Sequence, residues 1–487
     1  MTMLDPEVSA KYEIVVGLEI HCQLLTNTKI YAADANQFGE APNTNISPIT
    51  LGHPGTLPKL NKKVVDYAIK MGLACGCEIS RENSFERKNY FYPDLPKGYQ
   101  LTQDKAPICV GGGLEVLPKG AAGKVYVPFN RIHFEEDAGK SIHSETEDVT
   151  LVDLNRAGTP LIEIVTEPAI HSAAEAGAFL TDVRQIVRYL EICDGNMEEG
   201  SMRCDANISV RKYGDPLGKK TEVKNMNSIR NVQRAIDHEV ERQIILIEAG
   251  EEVISETRTF DANTGTTAAM RTKEELNDYR YFPDPDLSPL FVSEEWIESI
   301  RTEMPPLPTD LVQKFTAEYG LPAYDAGVLT ETKEMALFFD AVCQQTQNRK
   351  AASNWMMGPI KSFLNEQGGD IKNFSLSVDQ FVGLIELVDA GKVNFSIASK
   401  EIFPRLVADK AATAESIAKA QNLLQDSSED TIRPIAEAVL AEMPDKVTAF
   451  KKGKKGLIGM FIGQVVKKSG GKADPKKAGA ILQELLA

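Results

Sequence analysis

The sequence predicts an α+β protein: a domain built on an antiparallel sheet, then an all-α domain, then a small helical tail domain. Over roughly the first 300 residues, short alternating patterns typical of strands are interspersed with a few helical patterns. The segment EMPPLP, residues 303–308, carries three prolines and indicates a linker. Beyond it, apolar residues recur at helical spacing. We therefore predict domains at residues 1–302, 303–408 and 409–487.

Several elements are well marked in the sequence. Residues 15–24, VVGLEIHCQL, alternate apolar and polar side chains, as a strand with one buried face does. Ser172, three residues before Glu175, is typical of a helix start with a capping box. Ser228 is placed to cap a helix that ends before Gly250. A later helix is predicted by apolar residues at three- and four-residue spacing: Met335, Phe338, Phe339 and Val342.

Composition places the chain among ordinary globular proteins. Its 487 residues are 42% hydrophobic and 25% charged. The longest apolar runs are shorter than the roughly 18 residues of a membrane span, and the first residues lack the pattern of a targeting peptide. We therefore expect a protein without a membrane segment that is cytoplasmic, or one whose targeting segment has been removed. Seven cysteines, an odd number scattered along the chain, favour reduced thiols over a disulfide framework.

The charge of the chain is unevenly distributed. The net charge is −16, yet residues 446–477 contain ten lysines and one acidic residue, which leaves −25 on the remainder. Such an asymmetry is typical of a nucleic-acid-contacting end. Gly456, Gly459 and Gly463 lie along one helical stripe here, where each costs roughly 1 kcal/mol of helix stability. Close approach of an RNA backbone or of a neighbouring helix would explain them, and their combination with lysine favours RNA. The predicted RNA-binding lysines are Lys451, Lys452, Lys454, Lys455, Lys467 and Lys468.

Four strand-like segments each place polar side chains on one face. The residues concerned are Glu19, His21 and Gln23; Glu163; Arg203, Asp205, Asn207 and Ser209; and Glu222 and Lys224. Glu163 stands in an otherwise apolar strand, where an ionised carboxylate is costly unless it is paired or binds a metal. Mg²⁺ takes one or two carboxylates and leaves room for phosphates. This face is therefore a candidate site for metal-bound ATP, although an ordinary solvated strand would explain Glu19 and His21 alone.

Residues 131–141, RIHFEEDAGKS, end like a phosphate-binding P-loop. Phe134 stands where that motif requires a glycine, so the P-loop interpretation fails. The remaining carboxylates attract cations, and we predict a divalent-metal site. Its predicted ligands are Glu19, His21, Glu136 and Glu163. Strand alternation groups Glu135 with Asp137 and puts Glu136 on the other face. Glu136 is then either a costly inward ligand, or the strand bends or ends there.

Two segments combine basic and aromatic residues with prolines. They are ERKNYFYPDLPKGYQLTQ, residues 86–103, and DYRYFPDPD, residues 278–286. Rings and cations in turn-rich segments suit contact with RNA ends, whose bases can stack on the rings. An aromatic core patch beneath a loop explains them equally well.

Taken together, several strings resemble the B subunits of the glutamyl-tRNA(Gln)/aspartyl-tRNA(Asn) amidotransferases. They include VGLEIHCQL, FERKNYFYPDLPKGYQLTQ, EEDAGKS, LVDLNRAGTPLIEIVTEP, MEEGSMRCDANISVR, DYRYFPDPD and GMFIGQVVKKSGGKADP. The resemblance covers essentially the whole chain. It implies a cradle domain related to glutamine synthetase, a helical domain, and a YqeY-like tail domain that touches tRNA.

The resemblance also implies an activity and partners. Such a protein uses ATP and Mg²⁺ to phosphorylate the side-chain carboxylate of Glu or Asp misacylated on tRNA, and ammonia then displaces the phosphate. The ammonia comes from an amidase A subunit, and a small C subunit completes a heterotrimer. This chain carries no Ser-rich amidase loop and no plausible Cys-His pair, which is consistent with dependence on such a partner.

By resemblance, the predicted metal positions are again Glu19, His21, Glu136 and Glu163, and Lys88 and Tyr90 lie in the motif that lines the ammonia route. We predict that Lys88, Glu19, Glu136 and Glu163 are catalytic. Strand geometry alone suggests phosphate or acceptor binding by Arg203, Asp205 and Lys224.

The chain departs from many relatives at one place. Those carry four zinc-binding cysteines, where this sequence has Ala32, Asp34, Ser47 and Thr50, and none of these is a thiolate. We therefore expect no structural zinc.

Two other functions are compatible with parts of the sequence. A non-catalytic tRNA-binding scaffold would use the basic tail but leaves Glu163 unexplained. A free-standing amide ligase for small molecules would use the carboxylates but leaves the lysine-rich tail without a role.

Overall fold

The computed structural model describes residues 5–144, 146–272, 279–367, 369, 371, 374–425 and 429–486. The chain forms two compact units, Met1–Pro308 and Thr309–Ala487. The predicted linker at 303–308 lies between two helices, one ending at Glu303 and the next beginning at Pro308. The predicted boundary between residues 408 and 409 stays a prediction.

The first unit contains the strands. They are β1 (Tyr12–Gln23), β2 (Glu78–Ile79), β3 (Glu82–Asn83), β4 (Glu86–Asn89), β5 (Tyr99–Thr102), β6 (Cys109–Val110), β7 (Gly113–Val116), β8 (Val125–Glu136), β9 (Lys140–His143), β10 (Thr150–Asp153), β11 (Pro160–Thr166), β12 (Met202–Lys212), β13 (Thr221–Lys224), β14 (Glu256–Asp261), β15 (Thr266–Thr272), β16 (Arg280–Pro283) and β17 (Leu290–Phe291).

Most strands join one large sheet in the order β15-β14-β13-β12-β1-β11-β8-β5-β4-β16. Its pairs are antiparallel, as predicted, except that β13 and β14 run parallel. The sheet is therefore mixed. The description of this domain as a cradle related to glutamine synthetase stays a prediction.

Helices cover the apolar face of this sheet. The first unit contributes α1 (Pro6–Ser9), α2 (Lys62–Ala74), α3 (Ala173–Tyr189), α4 (Ile229–Glu248) and α5 (Glu294–Glu303). Leu18, Ile20 and Cys22 of β1 are fully buried in the core that includes these helices. Both predicted helix starts are confirmed, because the Ser172 and Ser228 hydroxyls accept backbone N–H groups of α3 and α4 at 3.1 and 3.2 Å. The polar face of the sheet is thereby left available for chemistry.

The second unit is helical, as predicted. It contains α6 (Pro308–Ala317), α7 (Ala323–Leu329), α8 (Lys333–Gln345), α9 (Arg349–Trp355), α10 (Lys361–Gln367), α11 (Val378–Asp389), α12 (Phe395–Ile397), α13 (Phe403–Ala408), α14 (Ala414–Ala420), α15 (Glu429–Glu442), α16 (Pro444–Lys451), α17 (Ile458–Lys468) and α18 (Pro475–Leu486). The helix predicted around Phe339 is α8, and that side chain is fully buried. Among the described residues, none of the helices is both long and apolar enough to cross a bilayer.

The lysine-rich segment is part of a small helical bundle with its own hydrophobic core. Helices α15, α17 and α18 pack around side chains such as Ile432, Phe461 and Leu482. Gly456, Gly459 and Gly463 lie on the exposed side of this bundle. A Cβ added to any of the three would meet no described atom within 4 Å. Close packing against a neighbouring helix therefore does not explain these glycines.

Candidate functional site

The polar face of the large sheet is assembled by strand register. On β12, Arg203 lies opposite His21 of β1 and Asp205 lies opposite Glu19. On β11, Glu163 lies opposite His21. Directly opposed residues of antiparallel strands point to the same face, so polar side chains far apart in sequence meet here. The structure thus brings Glu19, His21, Glu163, Arg203, Asp205 and Lys224 to one surface, as the strand patterns predicted.

One group, the histidine cluster, consists of His21, Glu135 and Glu163 with His133 and Lys88. The ligand atoms of His21, Glu135 and Glu163 lie within 4.8 Å of one another. The Nε2 atom of His133 lies 3.1 Å from Glu163 Oε2, and Lys88 Nζ donates to Glu135 Oε1 at 3.0 Å. Burial alone would raise the pKa of Glu163, but His133, His21 and Lys88 outweigh it and hold that pKa well below its usual value.

A second group, the acidic cluster, consists of Glu19, Asp205 and Glu222 with Lys224. Its three carboxylates also offer ligand atoms within 4.8 Å of one another. The Lys224 ammonium lies 2.5 Å from Asp205 Oδ2 and 3.0 Å from Glu222 Oε1. Burial raises the pKa of Glu19, and the carboxylates of Glu163 and Glu222 raise it further. One ammonium among three carboxylates leaves an excess of negative charge, which a cation would offset.

Glu136 lies outside both clusters, contrary to its predicted grouping with Glu19, His21 and Glu163. Strand β8 continues regularly to Glu136, which pairs with Pro160, so its side chain points to the face opposite that of Glu135. There the Glu136 carboxylate contacts the Lys97 ammonium and accepts the backbone N–H of Leu101 at 2.9 Å. The alternation of His133, Glu135 and Asp137 in the sequence is the signal that identifies Glu135 instead.

Asp137, which the sequence analysis did not select, anchors Arg203. The Arg203 Nη1 atom lies 3.0 Å from Asp137 Oδ2, and Gln23 donates to the same oxygen at 2.8 Å. Burial raises the pKa of Asp137, but Arg203 and Arg156 outweigh it and the net pKa is lowered. The guanidinium is thereby held at the edge of the histidine cluster.

An aromatic edge borders the histidine cluster. The Tyr90 ring lies 5.5 Å from the Tyr279 ring and 5.9 Å from the Tyr92 ring, and Lys88 Nζ lies 5.0 Å from the Tyr279 centroid. Phe91 is 89% exposed. The core-patch interpretation is therefore wrong for this loop tip. Of the second aromatic segment, Asp278 lies outside the described residues.

The lysines of the tail are largely exposed, as an RNA-binding role requires. Lys451, Lys452 and Lys454 are exposed, and the Lys455 ammonium lies 4.4 Å from the Phe450 ring centroid. Lys467 and Lys468, at the end of α17, are exposed too, and Lys468 pairs with Glu442. Their contact with tRNA stays a prediction.

Of the four positions where the resemblance implies zinc-binding cysteines, Asp34, Ser47 and Thr50 form a hydrogen-bonded group. The Asp34 carboxylate accepts the Ser47 hydroxyl at 3.0 Å and also the Thr50 hydroxyl. One carboxylate and two hydroxyls do not match the thiolate and imidazole ligands of structural zinc. The donor set therefore does not fit structural zinc, and the expectation that the protein binds none stays a prediction.

Lys29, which is 1% exposed, lies beside this hydrogen-bonded group. Its ammonium donates to the Asn45 carbonyl at 2.6 Å. Burial lowers the pKa of Lys29 from 10.5 to about 8, against the opposing effect of Asp34 and Glu136. Between these two pH values the unfolded chain therefore binds the proton that the folded chain has lost.

The free energy of unfolding should accordingly increase as the pH rises from about 8 to 10.5. We expect the free energy of unfolding of the wild type, relative to Lys29→Met, to increase by about 2–3 kcal/mol from pH 8 to pH 10.5. Urea denaturation of both proteins at several pH values measures this difference. Parallel pH profiles for the two proteins would show that Lys29 keeps an ordinary pKa in the folded chain.

Comparison with known proteins identifies the family. A family model described as the GatB/GatE catalytic domain matches residues 14–298, and one described as the GatB domain matches residues 337–486. Three similar proteins come from Thermodesulfovibrio yellowstonii (48% identical), Chlorobium luteolum (47%) and Geobacter sulfurreducens (48%). Each alignment covers 98% of this chain and 98–99% of the relative. All three are named as the B subunits of aspartyl/glutamyl-tRNA(Asn/Gln) amidotransferases. The resemblance noted in the sequence is thus confirmed, and the chain belongs to the family of these amidotransferase B subunits.

Proposed function

We propose that this chain activates the side-chain carboxylate of Glu or Asp on misacylated tRNA for amidation. The substrates would be Glu-tRNA(Gln), Asp-tRNA(Asn) or both, with ATP as the phosphoryl donor. The observation that carries this proposal is the pair of carboxylate clusters on neighbouring strands of one sheet face, with Lys88, Arg203 and Lys224 among them. The chain would then be the activating component of an ATP-dependent carbon–nitrogen ligase.

The residues present fit Mg²⁺. The acidic cluster offers three carboxylates within 4.8 Å of one another, and Mg²⁺ prefers oxygen ligands while retaining waters and phosphate oxygens. The histidine cluster offers two carboxylates and one imidazole. Glu19, Asp205 and Glu222 would therefore hold one cation, and His21, Glu135 and Glu163 a second. When bound, Mg²⁺ would offset the negative charge of the transferring phosphoryl group.

The reaction divides into two steps. An oxygen of the substrate carboxylate bonds to the γ-phosphorus of ATP while the bond from that phosphorus to the bridging oxygen breaks, which yields an acyl phosphate and ADP. Ammonia then adds to the acyl carbon, phosphate leaves with the electron pair of the C–O bond, and the nitrogen loses a proton. Phosphorylation converts a poor leaving group into a good one.

Three positively charged side chains of the site are held in place where negative charge would develop during the reaction. Lys88 is oriented by Glu135, Arg203 by Asp137, and Lys224 by Asp205 and Glu222. Preorganised cations of this kind stabilise charge in the transition state without reorganising during the reaction. Lys88, together with Tyr90 at the aromatic edge, would face the acceptor or the incoming ammonia.

The proposal includes partners. An amidase A subunit would release ammonia from glutamine, a small C subunit would complete the heterotrimer, and the lysines of the tail would contact tRNA. We propose the cytoplasm, where tRNA is aminoacylated, as the location.

Phosphate release tests the proposal directly. The full-length chain, co-purified with its amidase partner and supplied with ammonium, is given ATP and either Glu-tRNA(Gln), Asp-tRNA(Asn) or uncharged tRNA. We expect phosphate release that requires a misacylated tRNA. If tRNA binds but no phosphate is released with any of the three, the chain is a tRNA-binding scaffold instead.

A further inference from the structure

Thr257 of β14 carries a buried hydroxyl beside the acidic cluster, and the proposed reaction leaves it without a role. The residue is 1% exposed, and its Oγ1 atom donates to Glu222 Oε2 at 2.9 Å. A buried hydroxyl is costly unless it is hydrogen-bonded, and valine would fill the same space in a strand without that cost. The hydroxyl at this position therefore matters for the bond that it makes.

The parallel pairing of β13 and β14 brings Thr257 to Glu222, which lies directly beside it in the register. Parallel neighbours need a long crossover connection, and here that connection contains α4. The pairing of β14 with β15 also shifts its register between Thr257 and Arg258. Irregularities of this kind are frequent next to active sites, where they redirect a side chain. Two departures from a regular antiparallel sheet thus meet at Thr257.

Thr257 completes the support of the Glu222 carboxylate. The Lys224 ammonium lies 3.0 Å from Glu222 Oε1, and the Thr257 hydroxyl donates to Oε2. Because each oxygen has a donor, the carboxylate cannot turn about its last bond without losing one of these contacts. Glu19 is supported similarly, since Asn207 donates to its Oε1 atom at 2.9 Å. Hydrogen bonds of this kind orient metal ligands and contribute to metal affinity.

We propose that Thr257 is a positioning residue for the cation at the acidic cluster. Its hydroxyl would hold Glu222 in the orientation in which that carboxylate binds Mg²⁺, without touching the cation or the substrate. This inference rests on the proposed function, because it presupposes that the acidic cluster holds a cation. It gives β14, a strand that contributes none of the ligands, a part in the chemistry.

Thr257→Val tests the bond, because valine keeps the shape of the side chain and its preference for strands but removes the hydroxyl. The probe is Mn²⁺, and the EPR signal of the free ion gives its Kd on the full-length chain. The parent protein for this measurement is Glu135→Gln, in which the histidine cluster should no longer bind a cation. We expect the Kd for Mn²⁺ to rise by about 10–30-fold in Thr257→Val.

Two further substitutions at the same position separate the hydroxyl from the rest of the side chain. Thr257→Ser restores the hydroxyl without the methyl group, and its Kd for Mn²⁺ should lie within a few fold of the parent value. Thr257→Ala lacks the hydroxyl and should bind Mn²⁺ as weakly as Thr257→Val. It also provides a second variant without the hydroxyl if valine does not fit the site.

Thr221→Val is the matched control. Thr221 precedes Glu222 on β13, but its side chain points to the apolar face and is fully buried. Its Oγ1 atom has no hydrogen-bond partner among the residues that the structure describes. The control therefore makes the same substitution in the adjacent strand without removing a bond to a ligand. Its Kd for Mn²⁺ should equal that of the parent.

Turnover provides a second measurement. Phosphate release with misacylated tRNA is followed in Thr257→Val, with Glu135 intact, over a range of Mg²⁺ concentrations. We expect half-maximal release to require about 10-fold more Mg²⁺ than in the wild type, and saturating Mg²⁺ to restore most of the maximal rate. A lower maximal rate with an unchanged Mg²⁺ requirement would overturn the positioning role, because the defect would then not concern the cation.

The other outcomes separate this inference from the proposed function. Unchanged Mn²⁺ binding in folded Thr257→Val would overturn it, and so would an equal rise in Kd for Thr221→Val or for Thr257→Ser. If the Glu135→Gln parent binds no Mn²⁺, the acidic cluster holds no cation and the inference is wrong, while phosphate release by the wild type still decides the proposed function. A wild-type chain that neither binds Mn²⁺ nor releases phosphate would overturn both proposals.

Discussion

Glu135→Gln should reduce tRNA-dependent ATP turnover by about 100-fold or more, whereas Glu136→Gln should retain it within a few fold. The two positions are adjacent, yet their side chains point to opposite faces of β8. Glu135 lies in the histidine cluster, with Lys88 Nζ at 3.0 Å and His21 Nε2 at 3.7 Å. Glutamine keeps the shape of the side chain but removes the charge that would bind a cation. Phosphate release with misacylated tRNA, measured over a range of Mg²⁺ concentrations, gives the comparison.

Glu136→Gln should instead affect stability. Its carboxylate contacts the Lys97 ammonium, whose side chain is 10% exposed, and accepts the N–H of Leu101. A neutral amide preserves the second contact but leaves a largely buried ammonium without its anionic partner, at a cost of about 1–3 kcal/mol. Urea denaturation measures this cost. The opposite result would be a folded Glu136→Gln protein without Mg²⁺-dependent turnover and an active Glu135→Gln protein. It would show that Glu136, and not Glu135, is the metal ligand.

This pair of residues also shows where sequence reasoning succeeds and where it fails. Glu19, His21 and Glu163 were predicted to share a face because side chains in a strand alternate with period two, and the structure confirms that they do. The same rule separates Glu136 from Glu135. Choosing Glu136 made it either an inward ligand or a residue at a bend or end of β8. The strand ends at Glu136, but its pairing with β11 is regular up to that residue, so the side chain keeps the face that alternation gives it. The local pattern was therefore the better guide at this position.

Other features depend on strand register, which the sequence does not specify. Glu222 and Lys224 were predicted to share a face, but their contact with Asp205 and Glu19 depends on the pairing of β12 with β13 and β1. The parallel pairing of β13 with β14 was likewise not predictable, since no local signal distinguishes it.

The second large effect concerns the tail. Replacing Lys451, Lys452, Lys454 and Lys455 together by Gln should weaken tRNA binding strongly at low salt. A plot of the logarithm of the tRNA association constant against the logarithm of the salt concentration has a negative slope. Each lost phosphate contact reduces the size of that slope by about 0.7–0.9, so the loss of four contacts should reduce it by about 3. These lysines are exposed, and the exposed glycine stripe of residues 456, 459 and 463 next to them leaves room for an RNA backbone. Filter binding of tRNA to the full-length chain at several salt concentrations measures the slope.

The control for this prediction must remove the same charge from the same unit. Four lysines outside the lysine-rich segment are also exposed: Lys392, Lys400, Lys410 and Lys419. If binding depends on local phosphate contacts, their replacement by Gln should leave the salt slope nearly unchanged, because a general loss of positive charge acts only through screened, long-range attraction. If both variants lose the same amount of slope, tRNA binding depends on the net charge of the second unit. The assignment of the lysine-rich tail as the tRNA-binding segment would then be refuted. A folded variant of Lys451, Lys452, Lys454 and Lys455 that binds tRNA like the wild type would refute it as well.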